Sequence, residues 1–325
     1  MRVGGLYGPD ISFLSIGKCD LSDSATFANK DVIVIGAPYD GGTSYRSGTR
    51  FGPQAIRLTD YIPHDTLRPH IVLDSDGLQD LNIVDAGDSE MPPTSIDIAL
   101  KNLRNDVTTV AKSGARPIVL GGDHSISYAN ITGTADAIGK KKFGVIHFDA
   151  HPDTADVELG QKHGHGQWVR RVIESDTISG ENFVQFGIRG YWPDKSVLDW
   201  TRQQGATWYT MTDIYTRGVE VCINEAIKKA TKNVDGLFIS VDVDVCDPAC
   251  MPGTGTPEPG GLAAIEILHI IRKIAMEHNI VGFDIVELNP AFDHAEISAL
   301  LANRIVLELL SGLAYQKKGS VSGKI

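Results

Sequence analysis

Phe143-Gly144-Val145-Ile146-His147-Phe148-Asp149-Ala150-His151-Pro152-Asp153 runs from an apolar stretch straight into three metal-ligating side chains. Further along, Gly236-Leu237-Phe238-Ile239-Ser240-Val241-Asp242-Val243-Asp244 repeats the plan. Short apolar runs of this kind predict buried strands. Alternate residues of an extended chain point the same way. Asp149, His151 and Asp153 are therefore expected to converge, as are Asp242 and Asp244. Four carboxylates meeting at the end of a buried sheet repel one another, and unpaired buried charge is costly. Something positive must sit among them, and two divalent cations would balance the four charges. Together the two runs predict a two-metal hydrolytic centre.

Working outward, apolar runs alternate with amphipathic ones from about residue 31 to the end. Strands are expected at Asp31–Ala37, Pro117–Leu120, Phe143–Phe148, Phe183–Ile188, Thr207–Met211, Gly236–Val241 and Ile280–Val286, with a weaker one at Leu81–Asp85. Helices are expected at Pro53–Thr59, Ile96–Ser113, Ser127–Ile138, Gln167–Glu174, Ser196–Gln204, Val219–Thr231, Leu262–Glu277 and Glu296–Tyr315. In the helix at 262–277, Ala264, Ile267, Leu268, Ile271, Ile274 and Ala275 share one stripe, the spacing of a buried face. Such alternation predicts an α/β fold of three layers, helices on both sides of a mainly parallel, roughly eight-stranded sheet. No linker, repeat or low-complexity block interrupts it, so residues 31–325 read as one catalytic domain. Residues 1–30 are polar and irregular and read as an N-terminal arm across the surface or a neighbouring subunit. Ligands of open parallel sheets bind beyond the carboxyl ends of the strands. Gly36–Gly42, Gly121–Ser125, Asp149–Asp153, Gly187–Gly190, Asp242–Pro257 and Glu287–Pro290 all fall there, and that shared placement outweighs any one motif.

The 325 residues are 42% hydrophobic and 7% aromatic, an ordinary core composition, and carry a net charge of −11. A nucleic-acid binder would usually be basic, so that class is excluded, whereas a cationic small substrate suits the acidic balance. No apolar run approaches the roughly 18 residues of a membrane span, and Met1–Gly5 lacks the apolar core of a signal peptide. No membrane partner and a cytoplasmic location are expected. Cys19, Cys222, Cys246 and Cys250 form no CxxC or Cys/His zinc pattern. They read as reduced, partly buried small residues.

Gly121-Gly122-Asp123-His124-Ser125, Asp149–Asp153 and Ser240–Asp244 resemble the three metal motifs of the ureohydrolases, the arginase/agmatinase family. Gly41–Pro53 resembles that family's N-terminal loop, Asp247–Glu258 its proline/glycine loop and Asp284–Pro290 its last motif. The likeness spans about residues 30–315 in order and implies an arginase-like fold. By position, it assigns one metal to His124, Asp149, Asp153 and Asp242, and the other to Asp149, His151, Asp242 and Asp244. Oxygen-rich ligands with two imidazoles and no thiolate suit manganese-like ions; Mn²⁺ is the implied metal and Ni²⁺ the alternative. A hydroxide bridging both ions, held partly by Asp149, would attack the guanidinium carbon and release urea and an amine. The resemblance makes Glu287 the group that binds the guanidinium and His165 the proton shuttle to the leaving amine. His163 lies two residues before it and is a further candidate for substrate binding. The family also implies a homo-oligomer, a trimer or hexamer, with a hetero-oligomer of paralogues as the alternative.

The pattern departs from arginases after Asp153, where Thr154-Ala155-Asp156-Val157 follows and no Ser-Gly-Asn segment precedes His165. A non-arginine guanidino substrate, as in agmatinases, is the expectation. Pro152 replaces a common threonine, and His165-Gly166-Gln167-Trp168 departs from the usual His-Gly-Thr. Trp168 is expected near the pocket mouth, where it would favour a small guanidine, and Tyr191-Trp192 raises the same expectation. The alternatives are a Ni²⁺-dependent hydrolase of free guanidine or a biguanide such as metformin, a guanidinobutyrase or guanidinopropionase, and a supporting subunit of a hetero-oligomer. A one-zinc deacetylase of related fold would not need both His124 and Asp244.

Overall fold

Eight strands build the sheet: β1 Val32–Ala37, β2 Ile83–Asp88, β3 Arg116–Gly121, β4 Phe143–Phe148, β5 Phe183–Ile188, β6 Thr207–Thr210, β7 Gly236–Asp242 and β8 Ile280–Val286. Their order across the sheet is β2-β1-β3-β8-β7-β4-β5-β6. Every pairing is parallel, so the sheet is wholly rather than mainly parallel. The structure is a computed structural model and describes residues 9–322. Residues 143–148 and 183–188 are buried throughout. Covering both faces of a parallel sheet with helices requires such continuous apolar runs.

The expected strands and helices are found with their ends within three residues, except that the last helix runs to Ser322, seven residues beyond the expected Tyr315. Two differences have local causes. The strand at 207 stops at Thr210, because Thr210 and Asp213 form a capping box: the Thr210 hydroxyl accepts from Asp213 N at 3.1 Å while the Asp213 carboxylate accepts from Thr210 N at 2.9 Å. That starts an unanticipated helix at Met211–Arg217, although Thr-Met-Thr-Asp carries the signature of such a start. The helix expected from Leu262 begins at Ala264. Leu262 instead pairs with the loop after β7, donating to Val245 O at 2.9 Å and accepting from Asp247 N at 2.9 Å.

The C-terminal helix, Ile297–Ser322, packs on the helix Ala264–Glu277 and on Gly52–Leu58. Its Ile297–Gly319 stretch, with a mean hydropathy of 1.5, is long and apolar enough to cross a membrane, contrary to the sequence expectation. In this fold 78% of its most apolar window is buried, as a core helix would be. Of the expected N-terminal arm, residues 1–8 lie outside the described residues. The rest is anchored on the body: Phe13 and Leu14 are fully buried, and Phe13 N donates to Asp85 at 2.8 Å. Asp85 is also gripped by Arg57, from Nε at 2.9 Å and Nη2 at 3.0 Å.

Topology brings the motifs together. The four central neighbours β3, β8, β7 and β4 lead at their carboxyl ends to His124, Glu287, Asp242 and Asp149 respectively. One step below, register aligns Asp284 of β8, Ser240 of β7, His147 of β4 and Gln185 of β5 in a single row. All four are fully buried polar residues.

Candidate metal centre and its cavity

The row supplies hydrogen bonds that orient the residues above it. Ser240 donates to Asp284 Oδ1 at 2.6 Å, which leaves its oxygen free to accept from His124 Nε2 at 2.9 Å. The proton of His124 therefore sits on Nε2 and the lone pair on Nδ1. Three carboxylate oxygens surround that Nδ1: Asp149 at 3.0 Å, Asp242 at 3.1 Å and Asp153 at 3.3 Å. A lone pair and three anionic oxygens repel one another unless a cation lies between them. His151 Nδ1 sits 3.1 Å from Asp244 Oδ2 and 3.5 Å from Asp149 Oδ1. Asp149 thus presents one oxygen to each group, the arrangement a bridging ligand needs.

The electrostatics agree. Burial, then the charge of Asp149, pushes Asp153 up to about 7. Burial, with Asp244 and Asp149 beside it, holds Asp242 well above the usual carboxylate range. A cluster that cannot stay ionised alone lacks positive charge, and the donor set fits hard divalent cations.

Alternation along a strand is not what gathers these residues. β4 ends at Phe148, and Asp153 adopts a left-handed φ of 53°. Asp149 turns the chain by accepting from His151 N at 2.5 Å. Asp244 lies in a single 3-10 turn started when Asp242 Oδ1 accepts from Asp244 N at 2.8 Å. Short carboxylate-to-amide turns set both motifs.

His147 was not anticipated, although it stands two residues before Asp149 on the same strand face. Its Nε2 lies 2.7 Å from Asp149 Oδ2, and its Nδ1 accepts from Gln185 Nε2 at 3.1 Å. With both nitrogens committed, His147 supports the cluster rather than joining it, although it lies within ligand distance of His124, Asp149 and Asp153. Burial brings its pKa down to about 4, so it is a neutral donor.

Trp168 does not stand at the mouth. It is 1% exposed, its ring centre 4.7 Å from that of His124 and, edge to face, 4.9 Å from that of His147, and its indole N–H donates to Asp153 at 2.9 Å. It is the first residue of its helix and lies on that helix's buried side with Val169 and Val172. Tyr191 faces solvent, while Trp192 does reach the site. His163 lies against Tyr128, ring centres 5.3 Å apart, and is not among the cavity-lining residues.

A cavity of about 190 Å³ opens over the cluster, lined by His151, Asp153, Asp242, Ser44, His165, Gly166, Thr256, Trp192 and Glu158. A larger surface groove, of about 640 Å³ between residues 55–61 and 290–300, contains none of the clustered ligands. His165 forms one wall. Its Nδ1 is 3.0 Å from Glu287 Oε1, and its Nε2 faces both Ser44 N at 3.1 Å and Ser44 Oγ at 2.7 Å. Burial lowers its pKa, but the Glu287 carboxylate outweighs that and raises it to about 9. The amide of Ser44 pulls the other way, because it needs a lone pair on Nε2.

Glu287 sits behind His165 and is fully buried, with a left-handed φ of 65°. Its Oε1 also accepts from His124 N at 2.9 Å. Its Oε2 is the one buried carboxylate oxygen without a partner among the described residues. Asp123, a further residue whose role the sequence did not reveal, ties the N-terminal loop to the rim by accepting from Gly42 N at 2.6 Å. Gly42 O in turn accepts from His165 N at 3.1 Å.

Residues 30–312 match the model of the Arginase family. The chain belongs to the arginase family. It is therefore a hydrolase of amidino or guanidino C–N bonds, and the His/Asp cluster fits the arginase-family metal site. Proclavaminate amidinohydrolase of Streptomyces clavuligerus is 40% identical over 282 residues, 86% of this chain and 87% of that one. A solved structure of that enzyme superposes with a TM-score of 0.85 at 35% identity, covering 95% of this chain and 99% of the other. An agmatinase of Chromobacterium violaceum is 34% identical, covering 98% of this chain and 95% of its own. A solved Trypanosoma cruzi formiminoglutamase with Mn²⁺ is 26% identical, with a TM-score of 0.79 and coverage of 91% and 99%.

Proposed function

We propose that this arginase-family member is a two-metal amidinohydrolase that releases urea and an amine from a small, cationic, non-arginine guanidino compound. The carrying observation is the doubled cluster, in which Asp149 faces both ligand groups with separate oxygens beneath one small cavity. His124, Asp149, Asp153 and Asp242 would hold one ion, and Asp149, His151, Asp242 and Asp244 the other. Manganese, carried by the Trypanosoma cruzi relative, is the first choice and nickel the alternative. When bound, the ions acidify a water molecule and so supply a nucleophile at neutral pH.

The protein's own groups do the rest. The unpartnered Oε2 of Glu287, buried behind His165, would be the acceptor for a guanidinium N–H, and such charge-assisted bonds orient a substrate. A cation arriving beside Glu287 offsets the carboxylate that raises His165. His165 then holds its proton less tightly, at the stage when the leaving amine needs one. The buried Trp168, His147 and Phe183 exclude water from below.

Urea release from agmatine, 4-guanidinobutyrate, 3-guanidinopropionate, guanidine and metformin tests the reading, with the protein loaded in parallel with Mn²⁺ and Ni²⁺. Urea from at least one cationic substrate at two ions per chain is expected. No urea from any of them, with both ions bound, would overturn it. The small volume of the cavity favours a second reading, nickel-dependent hydrolysis of guanidine or a biguanide, which the nickel arm distinguishes.

A further inference from the structure

Glu158 is a cavity-lining carboxylate that the chemistry above does not use. It belongs to a tight hairpin: Glu158 N donates to Gln161 O at 3.1 Å and Gln161 N to Glu158 O at 2.8 Å. Between them, Leu159 and Gly160 have φ of 50° and 78°, the pair of positive values that a two-residue turn of this hand requires. The turn fixes where the side chain starts, and a neighbour fixes where it ends. Glu158 Oε2 accepts from Gln167 Nε2 at 2.8 Å, and Gln167 is only 2% exposed. Gln167 is neutral, so it aims the carboxylate without cancelling its charge. No Lys or Arg lines the cavity, and among the described residues no cation pairs with Glu158.

Gly166 explains how the carboxylate reaches the wall. A Cβ there would lie 3.0 Å from Glu158 Oε2 and 3.0 Å from the Trp192 ring. The acid and the indole edge therefore meet over the space that a side chain would fill. On the other side Trp192 stands 6.3 Å from His151, edge to face. From the cluster outward the wall passes from metal-ligating groups to an apolar ring and then to an isolated negative charge.

We propose that Glu158 is a specificity-determining residue: aimed by Gln167, it receives a second N–H-bearing cationic group of the substrate, while Trp192 covers the segment between that group and the guanidinium. This deepens the amidinohydrolase reading and rests on it. The substrate class is then a guanidino compound with two cationic ends, and a guanidino acid would place its carboxylate against Glu158. An alkylammonium brings a full second charge; a biguanide spreads one charge over both halves, and its second half still offers N–H donors to Glu158.

Glu158→Gln and Glu158→Lys in the metal-loaded protein test it. In the parent, agmatine or metformin should exceed 4-guanidinobutyrate in kcat/KM, and which of the two leads identifies the source of the second cation. Glu158→Gln should lower the preferred substrate's kcat/KM, relative to that of guanidine, by roughly tenfold to a hundredfold, mostly through KM, as loss of a charge-assisted hydrogen bond implies. Glu158→Lys should shift preference towards 4-guanidinobutyrate. An equal loss on guanidine and the longer substrates, or a parent that prefers the acid, would overturn the proposal. Calorimetric titration of agmatine and metformin into parent and Glu158→Gln needs no turnover. If the parent makes no urea, the chemistry has failed. A tenfold weaker binding in the variant would still uphold the role of Glu158, and unchanged binding would end it.

Discussion

Replacing Gln185 with Leu probes the buried row that carries the site. The side chain is fully buried on β5 and makes two donations, to His147 Nδ1 at 3.1 Å and to Pro152 O at 2.6 Å. Leu is of similar volume, so the cavity cost is small, but two buried acceptors lose their donor. Each orphaned acceptor costs about 1–3 kcal/mol, or ~2–6 kcal/mol together. Gln185 Oε1 has no partner of its own, and removing it returns the cost of one such group. Net, one more buried group is orphaned than before, so the expected loss is ~1–3 kcal/mol. It is read as a lower midpoint with unchanged slope in urea unfolding, with EDTA present so that the fold alone reports. A second effect follows from chemistry. Without the Gln185 N–H, His147 can carry its proton on Nδ1, and Asp149 then loses the donor at its Oδ2. Metal affinity should fall roughly tenfold to a hundredfold, as is usual when a ligand's supporting partner is removed. A variant within 0.5 kcal/mol of the parent, taking the threshold for an ordinary neutral change, would refute the reasoning. So would one that is less stable yet binds metal equally well.

Trp168→Phe keeps most of the ring but removes the N–H held by Asp153. It should cost about 1.5–3 kcal/mol and weaken metal retention, measured by dialysis against chelator. Because the ring lies beneath the cluster, the ratio of agmatine to guanidine turnover should not move, and a changed ratio would put Trp168 back at the mouth. Asp60→Asn removes the negative charge and one of the two oxygens that accept from Arg68 Nε and Arg304 Nη2, both at 2.9 Å. Burial raises the Asp60 pKa, but the bonds from Arg304, Ile62 N and Arg68 outweigh it and bring it down to about 2. A depressed folded value gives stability that is present above the ordinary carboxylate pKa of about 4 and is lost as pH falls towards 2. The variant should be ~2–3 kcal/mol less stable at pH 7, and urea midpoints of parent and variant should converge near pH 2. A gap that is constant with pH would contradict this.

Much of this was legible in the sequence because parallel strands buried on both faces are continuous apolar runs. Phe143–Phe148, Phe183–Ile188 and Ile280–Val286 could be bounded correctly for that reason. The placement of His124, Asp149 and Asp242 followed from the rule that ligands gather at the carboxyl ends. Lateral register was not legible. His147, Ser240, Asp284 and Gln185 lie in strands far apart in the chain, and nothing local shows that they stand side by side. The direction of Trp168 depended on which face of its helix meets the sheet, and a seven-residue helix carries too short a pattern to decide it. Glu158 reaches the cavity only because a hairpin of two positive-φ residues folds back, with a leucine where glycine or asparagine would have signalled the turn.

The row of Asp284, Ser240, His147 and Gln185 also says when the site comes into being. Its members are recruited from β8, β7, β4 and β5, and contacts between such distant segments form late because they must first close long loops. Until those four strands dock in register, His124 has no Ser240 to select its tautomer and Asp149 has no His147 to hold its carboxylate. A partly folded chain would therefore carry every proposed metal ligand and still offer no metal site. Metal uptake during refolding would mark the completion of the central sheet, so the ion would act as a timer of assembly and lock the last step rather than nucleate the first.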